Sequence, residues 1–339
     1  MSIDPVVALR EIGFLMERER ADTHRIKAYR RAADVVEALS ADERAQHRRA
    51  GDWTSLAGIG PRTATVLRQA SAGEMPEQLQ KLRDAKKPLA TGGEGLREHL
   101  QGDLHCHSTW SDGGSSLEEM MITAQSLGHN YCAITDHSPR LKVANGLTAE
   151  RLRNQFEVVD DLNAAFDGAF TVLRGIEVDI LDDGGLDQDA DLLAELDVVV
   201  ASVHSKLRAD SETMTHRMVG AVANPATNVL GHCTGRLVEG SRGTRPESVF
   251  DAEVVFQACI QFDVAVEINS RPERCDPPDN LLALADEMGC LFSIDTDAHA
   301  PGQLDFQAYG AARAAAQGID PDRIINTWDL DRLKEFCGG

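Results

Sequence analysis

The chain has 339 residues, 42% hydrophobic and 26% charged, enough for two globular domains with a core each. No apolar run approaches the ~20 residues that span a bilayer, and MSIDPVVALREIGF lacks a basic stretch ahead of an apolar one, so neither a membrane contact nor a signal peptide is expected. Net charge is −21 and unevenly spread: residues 1–90 hold 16 Lys/Arg against 13 Asp/Glu, whereas the rest holds 18 against 42.

An acidic second part repels nucleic acid unless bound cations offset it. The seven cysteines (106, 132, 233, 259, 275, 290, 337) are odd in number and form no C-x-x-C pair. Reduced thiols and a cytoplasmic location are therefore expected.

Residues 3–38 read as two amphipathic helices. Val6, Val7, Leu9, Ile12 and Leu15 form one stripe, and Ile26, Ala33, Val36 and Leu39 the other. Asp22 and Thr23 between them are cap candidates. Leu56-Ala57-Gly58-Ile59-Gly60-Pro61-Arg62-Thr63-Ala64 then predicts a tight turn and a helix to about Ala70. This is a helix–hairpin–helix pattern. Hairpin amides and a helix N-terminus can hold a phosphate without reading sequence, with Arg62 and Arg68 adding charge. A plain turn between two helices would need the same glycines.

The expected organisation is a helical domain over residues 1–84, a Lys/Pro/Gly/Glu-mixed linker over 85–100 with a short helix at its end, and a second domain over 101–339. In that second domain short β-rich runs alternate with helical stretches. The runs are 103–107, 131–136, 170–178, 197–204, 228–232, 264–269 and 291–297. The helical stretches are 115–127, 149–166, 212–223, 247–260, 278–288 and 305–316. Such alternation predicts an α/β fold with a parallel sheet, closed as a distorted (β/α)7 barrel behind a small all-α domain. In barrels of this kind the active site lies at the C-terminal ends of the strands.

Chemistry-bearing side chains cluster at those ends. His105 and His107 close the first run and Asp112 follows. His137 follows the second, Glu177 ends the third, and His204 and His232 end the fourth and fifth. Asp297 and His299 end the seventh. Six of the eleven histidines thus fall at one rim. A lone strand-end histidine is usually just a satisfied polar residue; nine candidates at one rim predict a metal centre. Imidazole mixed with carboxylate suits Zn, Mn or Fe rather than Mg or Ca. Two or three divalent ions are expected, with Glu177 bridging a pair at the ~3.5–4 Å used in phosphoryl transfer. Asp136 and Asp295 are candidates for orienting ligand imidazoles, with an ordinary polar role at a strand end as the alternative. His24, His47, His99, His129 and His216 read as surface or packing residues.

The segments DLHCHSTWSDG, AITDHS, GIEVDIL, ASVHS, LGHCTGR, EIN and DTDAH resemble the PHP (polymerase and histidinol phosphatase) family. The resemblance implies a trinuclear site with all nine positions filled. His105, His107, Glu177 and Asp297 would hold one ion. Glu177, His204 and His232 would hold a second, and Asp112, His137 and His299 a third. Asp112, where some members have His, LKVANGLT and the Thr-Gly-Arg of LGHCTGR resemble the PHP domain of bacterial family X DNA polymerases. RIKAYRRAADVVEAL followed by LAGIGPRTA resembles the small DNA-end-binding domain of the same enzymes. The polymerase core that separates these parts in family X has no room here, so no polymerase activity is expected. Where eukaryotic repair members carry a Schiff-base lysine this chain has Val66, which cannot be a nucleophile.

The resemblance implies a phosphoesterase of DNA repair, of 3′→5′ exonuclease, 3′-phosphatase or AP-endonuclease type, on DNA ends, gaps or abasic sites. A metal-activated water held by the ligands would be the nucleophile. Gly58, Gly60, Arg62, Lys142, Lys206, Arg236 and Arg271 are candidate phosphate or DNA contacts. The alternative is a small-molecule phosphatase for histidinol phosphate or a nucleotide. A vestigial barrel on a DNA-binding protein is disfavoured, because no ligand position is lost.

Overall fold

A computed structural model describes residues 3–240 and 243–338. The chain divides into two compact units at Pro88/Leu89. That boundary lies inside the stretch expected as a linker.

The first unit contains helices α1 (Pro5–Arg18), α2 (Thr23–Glu37), α3 (Ala41–Ala50), α4 (Pro61–Ser71) and α5 (Glu77–Ala85). Asp4 caps α1 by accepting from Val6 N and Val7 N, and Asp22 caps α2 by accepting from Arg25 N. The apolar stripes meet in one core that includes Leu9, Ile12, Met16, Tyr29, Val36 and Leu67. Gly58 turns the chain into α4 with φ +97°, and a Cβ there would lie 2.6 Å from Arg31 Nε. The positive φ favours glycine, while the exposed Arg31 side chain could move aside. Gly60 is different: its φ of −88° is open to any residue, and it serves as the N-cap of α4. Helices α3 and α5 were not expected. Helix α3 buries no residue, and α5 buries Leu79 alone, so neither carries a readable stripe.

The second unit begins with α6 (Glu94–His99), which packs on a helix near the other end of the chain. The strands are β1 (Gly102–Asp103), β2 (Tyr131–Ile134), β3 (Thr171–Asp179), β4 (Val198–Ser202), β5 (Val229–Leu230), β6 (Ala265–Asn269) and β7 (Phe292–Asp295). They lie in sequence order, each parallel to the next. Between and after them run α7 (Leu117–Ser126), α8 (Ala149–Phe166), α9 (Ala190–Leu193), α10 (Ser211–Val222), α11 (Ala252–Gln261), α12 (Asp279–Met288), α13 (Gln307–Gln317) and α14 (Leu330–Phe336). The partner of α6 is α13. Closure comes from a Cys106–Ala298 bridge, with His107 N donating to Ala298 O at 2.8 Å. This is the expected distorted seven-stranded barrel. β1 is shorter than expected, and His105 and His107 lie beyond it.

Side-chain alternation decides what the barrel encloses. Ile176, Val178, Val199, Ala201, Val266 and Ile268 pack outward in a core shared with the helices. Ala133, Leu173, Val198, Val200, Val229 and Ala265 cluster inside with Ile325, Trp328 and Leu333 of the C-terminal segment, which fills the base of the barrel. Continuing the inward rows by twos leads from Leu173 to Glu177 and Asp179, from Val200 to His204, from Ala133 to His137, and from Ala265 to Glu267. Each row is apolar at the base and polar at the rim.

A candidate metal centre at the rim of the barrel

Glu177 is the hub. It is 1% exposed, and imidazole nitrogens surround its carboxylate. His137 Nδ1 lies 2.8 Å from Oε2, with His105 Nε2 at 3.4 Å and His107 Nε2 at 3.5 Å. His232 Nε2 and His204 Nε2 lie 2.8 and 3.1 Å from Oε1. Asp297 Oδ1 is 3.4 Å from His107 Nε2, and Asp112 Oδ1 is 3.4 Å from His299 Nε2 and 3.5 Å from His137 Nε2.

Three groups have their ligand atoms within 4.8 Å of one another: His105/His107/Glu177, His137/Glu177/His204, and His107/Asp112/His137/His299. His137 thus reaches both the Glu177 side and the Asp112 side, and His107 likewise joins two groups. All nine residues expected at the rim are brought together. Asp297 adopts φ +50°, a left-handed conformation that aspartate tolerates better than most residues, as the chain turns into the site.

Hydrogen bonding tests whether this cluster suits cations. Buried polar atoms are almost always hydrogen-bonded. Here His105 Nε2, both ring nitrogens of His107, His137 Nδ1, His204 Nε2 and Glu177 Oε2 are buried without a hydrogen-bond partner of good geometry. Unsatisfied nitrogen and oxygen lone pairs facing one another across ~3 Å fit divalent ions.

The far side of the rings agrees. His105 Nδ1 is 2.5 Å from Glu267 Oε1, and His204 Nδ1 is 2.5 Å from Asp179 Oδ1. Each carboxylate accepts the Nδ1 proton and leaves the Nε2 lone pair aimed inward. His299 does the same through the Asp297 carbonyl at 2.8 Å. Glu267 also accepts from His232 N at 2.5 Å. Sequence reasoning named neither Glu267 nor Asp179 for this role. Of the two readings open for Asp136 and Asp295, the structure gives the ordinary strand-end one. Asp136 accepts from the Ser108 and Ser111 amides and hydroxyls, and Asp295 from Leu104 N and Asn326.

Electrostatics follows from the crowding. Burial would raise the Glu177 carboxyl, but His204, His137 and His105 hold it well below the usual range. Burial, then His299 and His137, push His107 down to about 3, so its imidazole is neutral and one ring nitrogen has its lone pair available. Burial alone would lower His204, yet Glu177 and Asp179 carry it up to about 9. An ion entering there must displace that proton. Burial would raise Asp297, but Arg274 and Arg271 hold it well below the carboxylate range.

Residues 103–271 match the PHP domain family. That part of the chain is a PHP domain. Residues 4–74 match a helix-hairpin-helix domain family. The DNA polymerase/3′-5′ exonuclease PolX of Bacillus subtilis is 40% identical over 237 residues, 70% of this chain and 41% of that protein. The chain therefore spans less than half the length of that relative. A protein named a probable phosphatase in Thermoanaerobacter sp. is 28% identical over 247 residues, 69% of this chain and 93% of its own length. The solved histidinol phosphate phosphatase of Lactococcus lactis, complexed with zinc, L-histidinol and phosphate, superposes with a TM-score of 0.47 at 18% identity, covering 65% of this chain and 95% of that one.

The remaining candidate contacts on the PHP barrel separate by what already holds them. Lys206 is 63% exposed and paired with Asp182 at 2.7 Å. Arg236 directs Nε and Nη2 to the carbonyls of Arg274 and Cys275. Arg271 Nη1 lies 3.0 Å from His299 Nδ1 and 3.3 Å from Asp297 O. Lys142 is exposed in a turn after His137. In the helix-hairpin-helix unit, Arg62 is exposed beside a cleft of about 400 Å³ lined by His24, Arg25, Tyr29, Gly60 and Pro61. Val66 is 1% exposed and packs in the helical core. No helix among the described residues is long and apolar enough to cross a membrane.

Proposed function

We propose that this PHP protein is a metal-dependent phosphoester hydrolase acting on DNA ends, gaps or abasic sites. The observation that carries the reading is the ring of buried, unsatisfied imidazoles around Glu177, on a barrel joined to a helix-hairpin-helix domain. Two or three ions of Mn, Zn or Fe fit this donor set. Of the ligand sets, His105, His107, Glu177 and Asp297 make one, Glu177, His204 and His232 a second, and Asp112, His137 and His299 a third. Bound ions would supply Lewis acidity toward the phosphoryl oxygens and a lowered water pKa. The protein's own residues hold the ligand tautomers through Glu267 and Asp179, and place basic groups beside the phosphate.

The exonuclease named in the Bacillus subtilis relative supports a DNA substrate, of 3′→5′ exonuclease, 3′-phosphatase or AP-endonuclease type. The hairpin at Gly58 and Gly60, the N-terminus of α4 and Arg62 would receive a DNA phosphate, tethering the substrate. Nucleotide addition is not proposed. Residues 75–102 separate the two family matches, too few for a polymerase core.

The test is a labelled gapped duplex with Mn²⁺, comparing the intact chain with Arg62→Glu. Reversing one phosphate-contacting charge should weaken processing about tenfold and make it less steeply salt-dependent, while hydrolysis of a small phosphomonoester stays unchanged. Equal processing of the gapped duplex by both proteins would remove the tethering role.

One observation favours a second reading. The Thermoanaerobacter phosphatase aligns over 93% of its length, which supports a barrel acting alone on a small phosphomonoester. Faster turnover of histidinol phosphate or a nucleotide than of any DNA would select it.

A further inference from the structure

The loop between β6 and α12 carries two arginines, and only Arg271 stood out in the sequence. Arg274 is more deeply placed, with an 11% exposed side chain. Its Nε donates to Asp297 Oδ2 at 2.8 Å. Its two terminal nitrogens have no hydrogen-bond partner among the described residues.

A guanidinium offers five donors, and only the one on Nε meets a protein acceptor here, which leaves the terminal nitrogens open to a ligand. Burial lowers the Arg274 pKa, but Asp297, Glu177 and Asp276 more than offset it. His232, lowered first by burial, is lowered further by the Arg274 charge. The guanidinium therefore lies within electrostatic reach of residues proposed for two different ions.

The main chain holding it is braced. Arg274 N donates to Arg271 O at 3.0 Å. Arg236 grips the carbonyls of Arg274 and Cys275, and the Asp276 carboxylate accepts from Thr234 N at 3.1 Å and Thr234 Oγ1 at 2.7 Å. The Thr234-Gly235-Arg236 segment thus acts as a strut from the β5 side. Lys206 and Arg236 have their charges engaged elsewhere. Arg274 presents an open fork.

We propose that Arg274 is the phosphoryl clamp of this site: Nε stays on Asp297 while the two terminal nitrogens take two non-bridging oxygens of the phosphate being hydrolysed. This rests on the hydrolase reading and deepens it. The fork matches two phosphoryl oxygens in a way a lysine ammonium cannot. Charge that builds on those oxygens as the water–phosphorus bond forms and the ester bond breaks is met by a group already in place.

The experiment compares the full-length Mn²⁺-loaded protein with Arg274→Gln and Arg274→Lys. Metal content is read by mass spectrometry, inorganic phosphate binding by calorimetry, and kcat/KM with 4-nitrophenyl phosphate and its bis ester. The expected result is unchanged metal content and at least tenfold weaker phosphate binding in R274Q. Its kcat/KM should fall about 10²–10³-fold, with partial recovery in R274K. Phosphate affinity within threefold of the parent in both variants overturns the clamp. So does metal loss in step with activity, because Arg274 would then act only through Asp297. A loaded parent that hydrolyses neither ester counts against the hydrolase reading, while phosphate titration still decides the clamp.

Discussion

Glu267→Gln is the sharpest single test of how the site is built. Glu267 is fully buried and accepts two donors at 2.5 Å, the His105 ring through Nδ1 and the His232 amide. Glutamine keeps the shape and supplies one acceptor oxygen. If that oxygen faces His232 N, the NH₂ faces His105 Nδ1. The ring must then accept there and carry its proton on Nε2, the atom that faces Glu177. If the amide flips, two N–H groups collide at His232. Either arrangement damages one ligand of a shared cluster. Loss of such a partner weakens metal binding by about 10–100-fold, or about 1.4–2.8 kcal/mol. Competition with a fluorescent chelator measures the affinity directly. Turnover should recover in large part at saturating metal, because the nine ligands themselves remain. An affinity within about twofold of the parent would refute the idea that Glu267 fixes the tautomer of His105.

Other outcomes follow from single contacts. Asp136→Asn turns an acceptor oxygen into a donor facing the Ser108, Ser111 and Gln155 donors, so it should destabilise the barrel by about 1–3 kcal/mol and lower metal stoichiometry through the adjoining Asp112 loop. Denaturant melts and metal analysis check both. Gly58→Ala forces a side chain into a left-handed turn against Arg31, costing about 1–2 kcal/mol, read as an earlier unfolding transition of the helical domain. Cys106, Cys132, Cys233, Cys259 and Cys290 are buried, so a thiol reagent should titrate no more than two of the seven rapidly in the native protein, and all seven in denaturant.

The barrel was legible because its strands are short apolar runs cut off by charged or turn residues, and because strand rows have a period of two. The same period placed Glu177 and His204 on the inward face. Helix α3 was not legible, since ADERAQHRRA has no apolar stripe; its available signal was the Ser40–Glu43 capping box. The boundary of α11 was set by Asp251, whose side chain accepts from Val254 N, five residues beyond where helical periodicity began.

In the site, ligands were readable from residue type, but the groups that orient them were not. Glu267 sits inside the fully buried strand AVEIN, and an acid in such a strand was a clue to a structural partner. Asp179 lies two residues past Glu177, on the same inward row. Asp136 and Asp295 occupy similar strand-end positions yet bind main chain, and only the three-dimensional register separates the two uses. Arg274 lies in an irregular loop, where no periodicity says which way a side chain turns.

The most direct measurement is anomalous diffraction from crystals of the protein grown with Mn²⁺, paired with metal counting on Glu177→Gln. The account predicts two or three ions among the nine side chains, one pair about 3.5–4 Å apart with Glu177 between them, and loss of at least that pair in the variant. No anomalous density within reach of Glu177, or a variant that keeps its full metal content, would contradict it.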